Sequence, residues 1–307
     1  MRLLCALGLF LALLHVTTCL LIGAFNIQNF GPEKFEKVVN TTKGIIKAID
    51  IITEIVQRYD IILIQEVRCN NDLSVPNRLL ALVNQGSPQF SYIVSDPLPL
   101  DTSIRHRERY LFLYRDQTVT ATGSFQYDGK GFMRPPSVVK FSSTQTDVKE
   151  FVLIPIHTKP DKAVQELNAL VDVVEEAKQE LKNNNIMVLG DFNADGTYVT
   201  AEDWKKIPLF TDKGFHWLIN GVATTMAEKT IQTHDRIVVS DDMNNGVMKG
   251  SAKVFDFKDY YGLTQAQAED VSDHFPVEVE LKVDPPGKAI KRPHSDGPSK
   301  DPKKIRP

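Results

Sequence analysis

The stretch Ile186-Met187-Val188-Leu189-Gly190-Asp191-Phe192-Asn193-Ala194 places a carboxylate and an amide directly after a short apolar run. A run of this length, followed at once by glycine and polar residues, is typical of a buried β-strand. A carboxylate at a strand end is held by a rigid element and opens into the loops that line a cleft. The segment therefore predicts a strand that ends in a functional site.

Other apolar runs in the chain also begin or end on a carboxylate or an imidazole, and two asparagines follow apolar runs. One charged residue at a strand end is ordinarily a plain surface terminus, so a single segment would indicate little. Five such segments in one chain instead favour a shared site. The candidate residues are Asn26, Glu66, His157, Asp191, Asn193, Asp235, Asp273 and His274.

These candidates offer oxygen and imidazole groups, which can hold a hard divalent cation and move protons. The chain has 3 cysteines, and the lack of closely spaced cysteine or histidine ligands argues against a structural zinc site. Carboxylates and amides favour Mg²⁺, Mn²⁺ or Ca²⁺. Such ions act mostly on phosphate oxygens, so the pattern predicts phosphate chemistry.

The spacing of apolar residues predicts helices over residues 33–59, 76–84 and 161–182. The first has an interruption near Asn40 or Gly44 as an alternative, and the last is capped by Asp161. The predicted strands cover residues 20–27, 59–66, 89–94, 109–114, 119–125, 137–141, 150–156, 186–189, 235–240 and 275–283. Strands outnumber helices and the two alternate irregularly. This order favours an α/β domain with mixed sheets over a doubly wound fold.

The ends of the 307-residue chain differ from its middle. Residues 1–19 combine one arginine, a short apolar run and small residues, which predicts a secretory signal peptide and not a transmembrane segment. Without it Cys69 is the one remaining cysteine, and Asn40-Thr41-Thr42 is a glycosylation sequon. We therefore expect a secreted glycoprotein that passes through the endoplasmic reticulum lumen.

Residues 284–307 hold six prolines, seven basic residues and three acidic residues, a composition that predicts a disordered basic tail. The middle of the chain is acidic by contrast. Two interpretations of the tail stay open: an arm that serves nuclear entry or contacts DNA, or a dispensable terminus.

Seven segments together resemble the deoxyribonuclease I family, within the endonuclease/exonuclease/phosphatase superfamily, and the basic tail is similar to that of its gamma branch. They are Ala24-Phe25-Asn26-Ile27, Ile64-Gln65-Glu66-Val67-Arg68, Arg107-Glu108-Arg109-Tyr110-Leu111-Phe112, Pro155-Ile156-His157-Thr158, Gly190-Asp191-Phe192-Asn193-Ala194, Asp235-Arg236-Ile237-Val238 and Ser272-Asp273-His274-Phe275-Pro276. The resemblance covers residues 20–283. It implies one catalytic domain folded as a four-layer sandwich, with two mixed β-sheets flanked by helices.

The resemblance also implies roles for individual residues. Glu66, with Asp273 and Asn26, would ligate a catalytic Mg²⁺ or Mn²⁺, and structural Ca²⁺ is a further expected ion. Asp191 and Asn193 would position the scissile phosphate, while the acids Glu108 and Asp235 would orient His157 and His274. Which imidazole accepts a proton and which donates one stays open. The residues expected to contact DNA are Arg68, Arg134 and Tyr198.

The expected function is a secreted, cation-dependent endonuclease that cuts double-stranded DNA with little sequence specificity. We expect a monomer without a nucleotide cofactor, and actin is a candidate partner because some family members sequester it. Two alternatives remain at this point. One is a sphingomyelinase or inositol-phosphate phosphatase on the same scaffold, and the other is a non-catalytic relative that binds actin or DNA.

Overall fold

The computed structural model describes residues 19–41, 44–69, 72–99, 107–226 and 232–283. The predicted signal peptide (residues 1–19) and basic tail (residues 284–307) therefore lie outside the described residues, except for Cys19. None of the helices in the described ranges is both long enough and apolar enough to cross a membrane.

Fourteen strands and eight α-helices are present in these ranges. The strands are β1 (Cys19–Phe30), β2 (Val38–Thr41), β3 (Gly44–Lys47), β4 (Ile61–Val67), β5 (Phe90–Val94), β6 (Arg109–Arg115), β7 (Thr120–Gln126), β8 (Ser137–Ser142), β9 (Glu150–His157), β10 (Ile186–Asp191), β11 (Phe215–Trp217), β12 (Asp235–Ser240), β13 (Lys253–Val254) and β14 (Val277–Lys282). The helices are α1 (Ala48–Val56), α2 (Ser74–Val83), α3 (Ala163–Leu181), α4 (Ala201–Trp204), α5 (Pro208–Thr211), α6 (Asp241–Gly246), α7 (Phe257–Tyr261) and α8 (Gln265–Val271).

The strands form two mixed six-stranded sheets. Their orders are β13-β14-β1-β4-β6-β5 and β11-β12-β10-β9-β8-β7, while β2 and β3 pair as a separate hairpin. Alternate residues of each strand face opposite layers. Leu63 and Leu153 belong to the core between the sheets, whereas Ile64 packs towards α1 and α2, and Ile154 towards α3. The predicted four-layer sandwich is therefore confirmed.

The predicted strands and the two later helices are confirmed, with ends that shift by a few residues. The helix predicted over residues 33–59 is wrong in its first half. That half forms a short 3-10 helix (Pro32–Phe35) and the β2–β3 hairpin, and only α1 is α-helical. Val38, Val39, Ile45 and Ile46 match a helical period, but their β-branched side chains suit paired strands equally well.

The start of α3 also departs from its prediction. Asp161 lies inside a 3-10 helix (Pro160–Lys162), and the N-cap position of α3 is Lys162, without a capping hydrogen bond from its side chain. A proline at the first position of the 3-10 helix fixes its backbone and displaces the α-helical start by two residues.

Gly190 lets two strands approach closely where the candidate site begins. Its φ is +130°, and a Cβ there would lie 2.3 Å from the carbonyl oxygen of Ile156. Only glycine tolerates both conditions. β9 and β10 therefore stay paired up to their ends, where His157 lies beside Asp191 in parallel register.

Candidate active site

The candidate residues converge at one end of the sandwich. His157, Asp191 and Asp235 are direct neighbours in register across β9, β10 and β12. On the facing sheet, Asn26 pairs in register with Gln65, next to Glu66. The Gln65 side chain donates a 2.7 Å hydrogen bond to the Ile156 carbonyl and so ties the two sheets together at this end.

The first histidine–acid pair joins His157 to Glu108, both buried. His157 Nδ1 lies 2.5 Å from Glu108 Oε1, and Arg134 Nε lies 2.8 Å from the same oxygen. Burial opposes ionisation of Glu108, but His157 and Arg134 outweigh burial and lower the pKa of Glu108. Burial also opposes protonation of His157, but Glu108 outweighs it and raises the pKa of His157.

The second pair joins His274 to Asp235, and both are again buried. His274 Nδ1 lies 2.8 Å from Asp235 Oδ2. Burial disfavours the charged imidazole, but the Asp235 carboxylate outweighs it and raises the pKa of His274 to about 10. Thr224 holds Asp235 in position, because its hydroxyl accepts a 3.0 Å hydrogen bond from the Asp235 backbone.

Asp191 lies between the two pairs. Its Oδ2 is 3.6 Å from His157 Nε2 and 3.8 Å from His274 Nε2. Asn26 Nδ2 donates to the same oxygen at 3.1 Å, and the Asn193 backbone donates to Oδ1 at 2.9 Å. Burial opposes ionisation, but the two imidazoles outweigh it and lower the pKa of Asp191. The site is thus one carboxylate flanked by two oriented imidazoles.

Of the three residues predicted to hold a cation, Asn26 lies on the second half of β1, and Glu66 and Asp273 are hydrogen-bonded to that strand. The Asn29 backbone donates to Glu66 Oε2 at 2.9 Å, and Gln28 Nε2 donates to Asp273 Oδ2 at 2.7 Å. Asn26 Oδ1 and Asp273 Oδ1 are buried and accept no hydrogen bond from the described residues. Buried acceptor oxygens without donors are costly in a protein alone. This donor set of carboxylate and amide oxygens fits a hard divalent cation.

A second group of possible ligands consists of Asp191, Asp235 and His274, whose ligand atoms lie within 4.8 Å of one another. Two of its members, Asp235 and His274, already share a hydrogen bond. That bond uses His274 Nδ1 and Asp235 Oδ2 and leaves His274 Nε2 and Asp235 Oδ1 for a metal ion. The group includes an imidazole, however, whereas Glu66, Asp273 and Asn26 offer the oxygen ligands that hard divalent cations prefer.

The predicted DNA-contacting residues differ in their surroundings. The side chain of Arg68 is 41% exposed and lies 3.5 Å from Glu66 Oε2, and Tyr198 is 41% exposed beside His234. Arg134 instead turns inward, with 18% of its side chain exposed, and its Nη1 donates to the His157 carbonyl at 3.1 Å. Arg134 is thus part of the first histidine–acid pair.

Two hydroxyls in the site had no predicted role. Tyr110 Oη accepts from the His157 backbone at 2.9 Å and donates to the Arg134 carbonyl at 3.1 Å. Ser272 Oγ donates to the Asn26 carbonyl at 2.7 Å. Tyr110 follows Glu108 by two residues, and Ser272 directly precedes Asp273, so both lie near predicted acids. Their hydrogen-bond partners are distant in sequence, and no spacing rule predicts these contacts.

Comparison with known proteins shows to which family this chain belongs. Residues 23–274 match the sequence profile of the Endonuclease/Exonuclease/phosphatase family. Deoxyribonuclease-1 of Bos taurus is 43% identical over 286 residues, which cover 89% of this chain and 97% of the relative. Deoxyribonuclease-1 of Homo sapiens is 40% identical over 291 residues, or 92% and 99% of the two chains.

Solved structures show the same fold at much lower sequence identity. The crystal structure of the endonuclease/exonuclease/phosphatase from Bacteroides vulgatus superposes with a TM-score of 0.57 and 15% identity. The superposition covers 87% of this chain and 100% of that one. At this identity the match concerns the fold alone, and it agrees with the two packed sheets described above.

Proposed function

The chain belongs to the endonuclease/exonuclease/phosphatase family, as a deoxyribonuclease-I-like hydrolase, and from this premise we propose that it is a cation-dependent endonuclease. Its substrate is double-stranded DNA, which it cuts with low sequence specificity. The observation that carries the proposal is the placement of Asp191 between two imidazoles, 3.6 Å and 3.8 Å from their Nε2 atoms. An acid between two proton-transfer groups suits in-line hydrolysis of a phosphodiester.

Each site residue has a role in hydrolysis that follows from its position. One imidazole withdraws a proton from the attacking water, and the other donates one to the leaving 3′ oxygen. Glu108 and Asp235 bind the Nδ1 atoms, so each imidazole presents its Nε2 to the substrate. Asp191 and Asn193 orient the phosphate and the water beside it.

Glu66, Asp273 and Asn26 would hold the cation, for which we propose Mg²⁺ or Mn²⁺, with Ca²⁺ as a structural ion. When bound, the cation offsets the negative charge that develops on the phosphate oxygens. Asn26 Oδ1 and Asp273 Oδ1 support this assignment, because they are buried acceptors that receive no hydrogen bond within the described part of the chain.

Contacts to DNA in this proposal come from Arg68 and Tyr198, which are partly exposed. Such contacts grip the backbone and sense groove width, which accounts for weak base specificity. We also propose that the protein is secreted, on the strength of the sequence at residues 1–19. Exposure of Asn40 in the β2–β3 hairpin supports its glycosylation.

A plasmid-nicking assay of the secreted protein tests the proposal. We expect nicking with Mg²⁺ and Ca²⁺, none with EDTA, and a loss of about 10²- to 10⁴-fold in His157→Ala and His274→Ala. His216→Ala is the matched control, because His216 pairs with Asp241 at 2.6 Å on the surface, away from the site. It should nick as fast as the wild type.

Sphingomyelin and inositol-phosphate turnover, measured in parallel, separate the alternative enzymes on this scaffold. Turnover of either substrate without DNA nicking would overturn the proposal. Undiminished nicking by both site variants would show instead that the imidazoles do not carry the proton transfers.

A further inference from the structure

The loop at residues 127–135, which carries Arg134, runs over a cavity of about 510 Å³. Tyr127, Phe132, Met133 and Pro135 of this loop line the cavity together with Lys162 and Gln165. Tyr127 is buried and packs in the core with α3, but Met133 and Pro135, on either side of Arg134, border the cavity, so core packing alone does not fix the position of Arg134. The fixed points must come from specific contacts on either side.

Glu166 supplies one such contact from the first turn of α3. Its side chain is fully buried, and Oε1 accepts a 3.1 Å hydrogen bond from the backbone N–H of Met133. Gly131 supplies the other, since a Cβ there would lie 2.9 Å from the Cβ of Ala169, one turn further along α3. Close to Arg134, the loop therefore contacts α3 through Gly131 and Met133, which both border the cavity.

A buried carboxylate is an expensive way to hold one backbone N–H. Burial raises the pKa of Glu166, and hydrogen bonds from the Met133 and Lys159 backbones only partly oppose that rise. A neutral acceptor would fill the same space at lower cost. Glu166 binds Met133, the residue directly before Arg134, so the unfavourable burial of this carboxylate lies beside the active site.

The contacts continue from Arg134 to the first imidazole. Arg134 Nε lies 2.8 Å from Glu108 Oε1, and its Nη1 donates to the His157 carbonyl at 3.1 Å. Tyr110 Oη joins the Arg134 carbonyl to the His157 backbone. A shift of the loop at Met133 would therefore move the acid and the imidazole together.

We infer that Glu166 is a positioning residue: its hydrogen bond to Met133 fixes Arg134 against Glu108 and holds His157 in line with Asp191. The inference rests on the proposed function, for which His157 is a proton-transfer group. Glu166 itself touches neither substrate nor cation in this scheme.

Two substitutions of similar size separate the hydrogen bond from packing. Glu166→Gln keeps an acceptor for the Met133 N–H, whereas Glu166→Met fills the space without one. We expect Glu166→Met to lower kcat for DNA hydrolysis by about 10- to 100-fold, since misplacing a catalytic group by about 1 Å has effects of that size. Glu166→Gln should stay within about threefold of the wild type, and KM should change little in either variant.

Val174→Ala is the control for lost stability. Val174 is fully buried on α3, about two turns beyond Glu166, and packs in the core against the second sheet. This variant should be less stable than the wild type and equally active. If Glu166→Met fails to fold, Glu166→Leu removes the same acceptor with a branched side chain of similar volume.

Amide hydrogen exchange gives a readout that does not depend on activity. The Met133 amide should exchange at least about tenfold faster in Glu166→Met than in Glu166→Gln or Val174→Ala, because it loses its acceptor. If the wild type does not cleave DNA, the proposed function fails, and this exchange comparison together with the His157 ring resonances still decides the positioning role. Unchanged exchange at Met133, or equal losses of kcat in Glu166→Gln and Glu166→Met, would overturn the inference.

Discussion

The two histidine–acid pairs have nearly the same geometry but different surroundings. Nδ1-to-carboxylate distances are 2.5 Å for His157 and 2.8 Å for His274, and both Nε2 atoms point at Asp191. Glu108 also binds Arg134, a permanent cation. Asp235 has Thr224 as its neighbour instead, a neutral hydroxyl.

This difference shows how two similar pairs can serve different steps. Arg134 lowers the pKa of Glu108 and opposes protonation of His157. The protonated form of His157 is therefore stabilised less than Glu108 alone would stabilise it. Against the effect of burial, Asp235 raises the pKa of His274 to about 10, with smaller contributions from Asp191 and Asp273. Similar distances therefore go with different electrostatic surroundings of the two imidazoles.

Removing the shared carboxylate would break the comparison most severely. Asp191→Asn keeps the shape of the side chain but loses the charge that both imidazoles face. We expect kcat for DNA hydrolysis to fall by about 10²- to 10⁴-fold, and the pKa values of both histidines to fall. Single-turnover plasmid cleavage and histidine NMR titration check the two effects. Near-normal cleavage would mean that Asp191 does not join the two pairs into one site.

Neutralising each acid in turn should separate the pairs. Asp235→Asn should lower the pKa of His274 from about 10 towards its ordinary value, by more than Glu108→Gln lowers that of His157. The reason is that Arg134 already offsets part of the Glu108 charge. NMR titration with EDTA present measures both shifts without interference from a cation. Equal shifts would show that Arg134 does not distinguish the pairs.

The same substitution predicts a pH dependence of stability. A group whose pKa is raised by folding stabilises the native state fully below its unfolded pKa, about 6.5 for histidine, and loses that contribution as pH rises through the folded value. The difference in free energy of unfolding between the wild type and Asp235→Asn should therefore shrink between pH 6.5 and about 10. Urea unfolding at a series of pH values measures it. A difference that grows over this range would contradict the assigned pKa direction.

Replacing the arginine should make the two pairs more alike. Arg134→Gln removes the cation that opposes protonation of His157, so the pKa of His157 should rise. We expect kcat to fall by about tenfold, because the loop also loses its contacts to Glu108 and the His157 carbonyl. Lys140→Gln is a suitable control, since Lys140 pairs with Glu150 outside the site. An unchanged His157 pKa in Arg134→Gln would remove the basis of the comparison.

The histidine–acid pairs and the residues that support them differ in how far the sequence predicts them. Asp191, Asp235 and His274 lie at strand ends that the apolar pattern identifies directly. The pairing of Glu108 with His157 and that of Asp235 with His274 both came from the resemblance to a family, because strand spacing gives no information on which ends meet.

The supporting residues could not be predicted in the same way. Glu166 occupies a helical position where a solvated charge is the ordinary expectation, and only the crossing of the loop over α3 buries it. The β2–β3 hairpin was missed because apolar residues spaced by three and four also fit two short paired strands. In both cases long-range packing overrides the local pattern.

The smallest expected effect concerns the hydroxyl that supports each pair. Thr224→Val would leave two buried backbone donors, those of His234 and Asp235, without their acceptor, whereas Tyr110→Phe would leave one, that of His157. An unsatisfied buried donor costs about 1–3 kcal/mol. Thr224→Val should therefore lose more free energy of unfolding in urea.

Activity should follow the opposite order. Tyr110→Phe also frees the Arg134 carbonyl, so it loosens the pair that depends on a loop, whereas the Thr224 hydroxyl accepts from His234 and Asp235 at the start of β12. We expect a kcat reduction of a few-fold in Tyr110→Phe and less in Thr224→Val, measured on plasmid DNA well below both unfolding transitions. If the more destabilised variant were also the less active one, stability alone would account for both losses, and the loop at residues 127–135 would need no special place in the first pair.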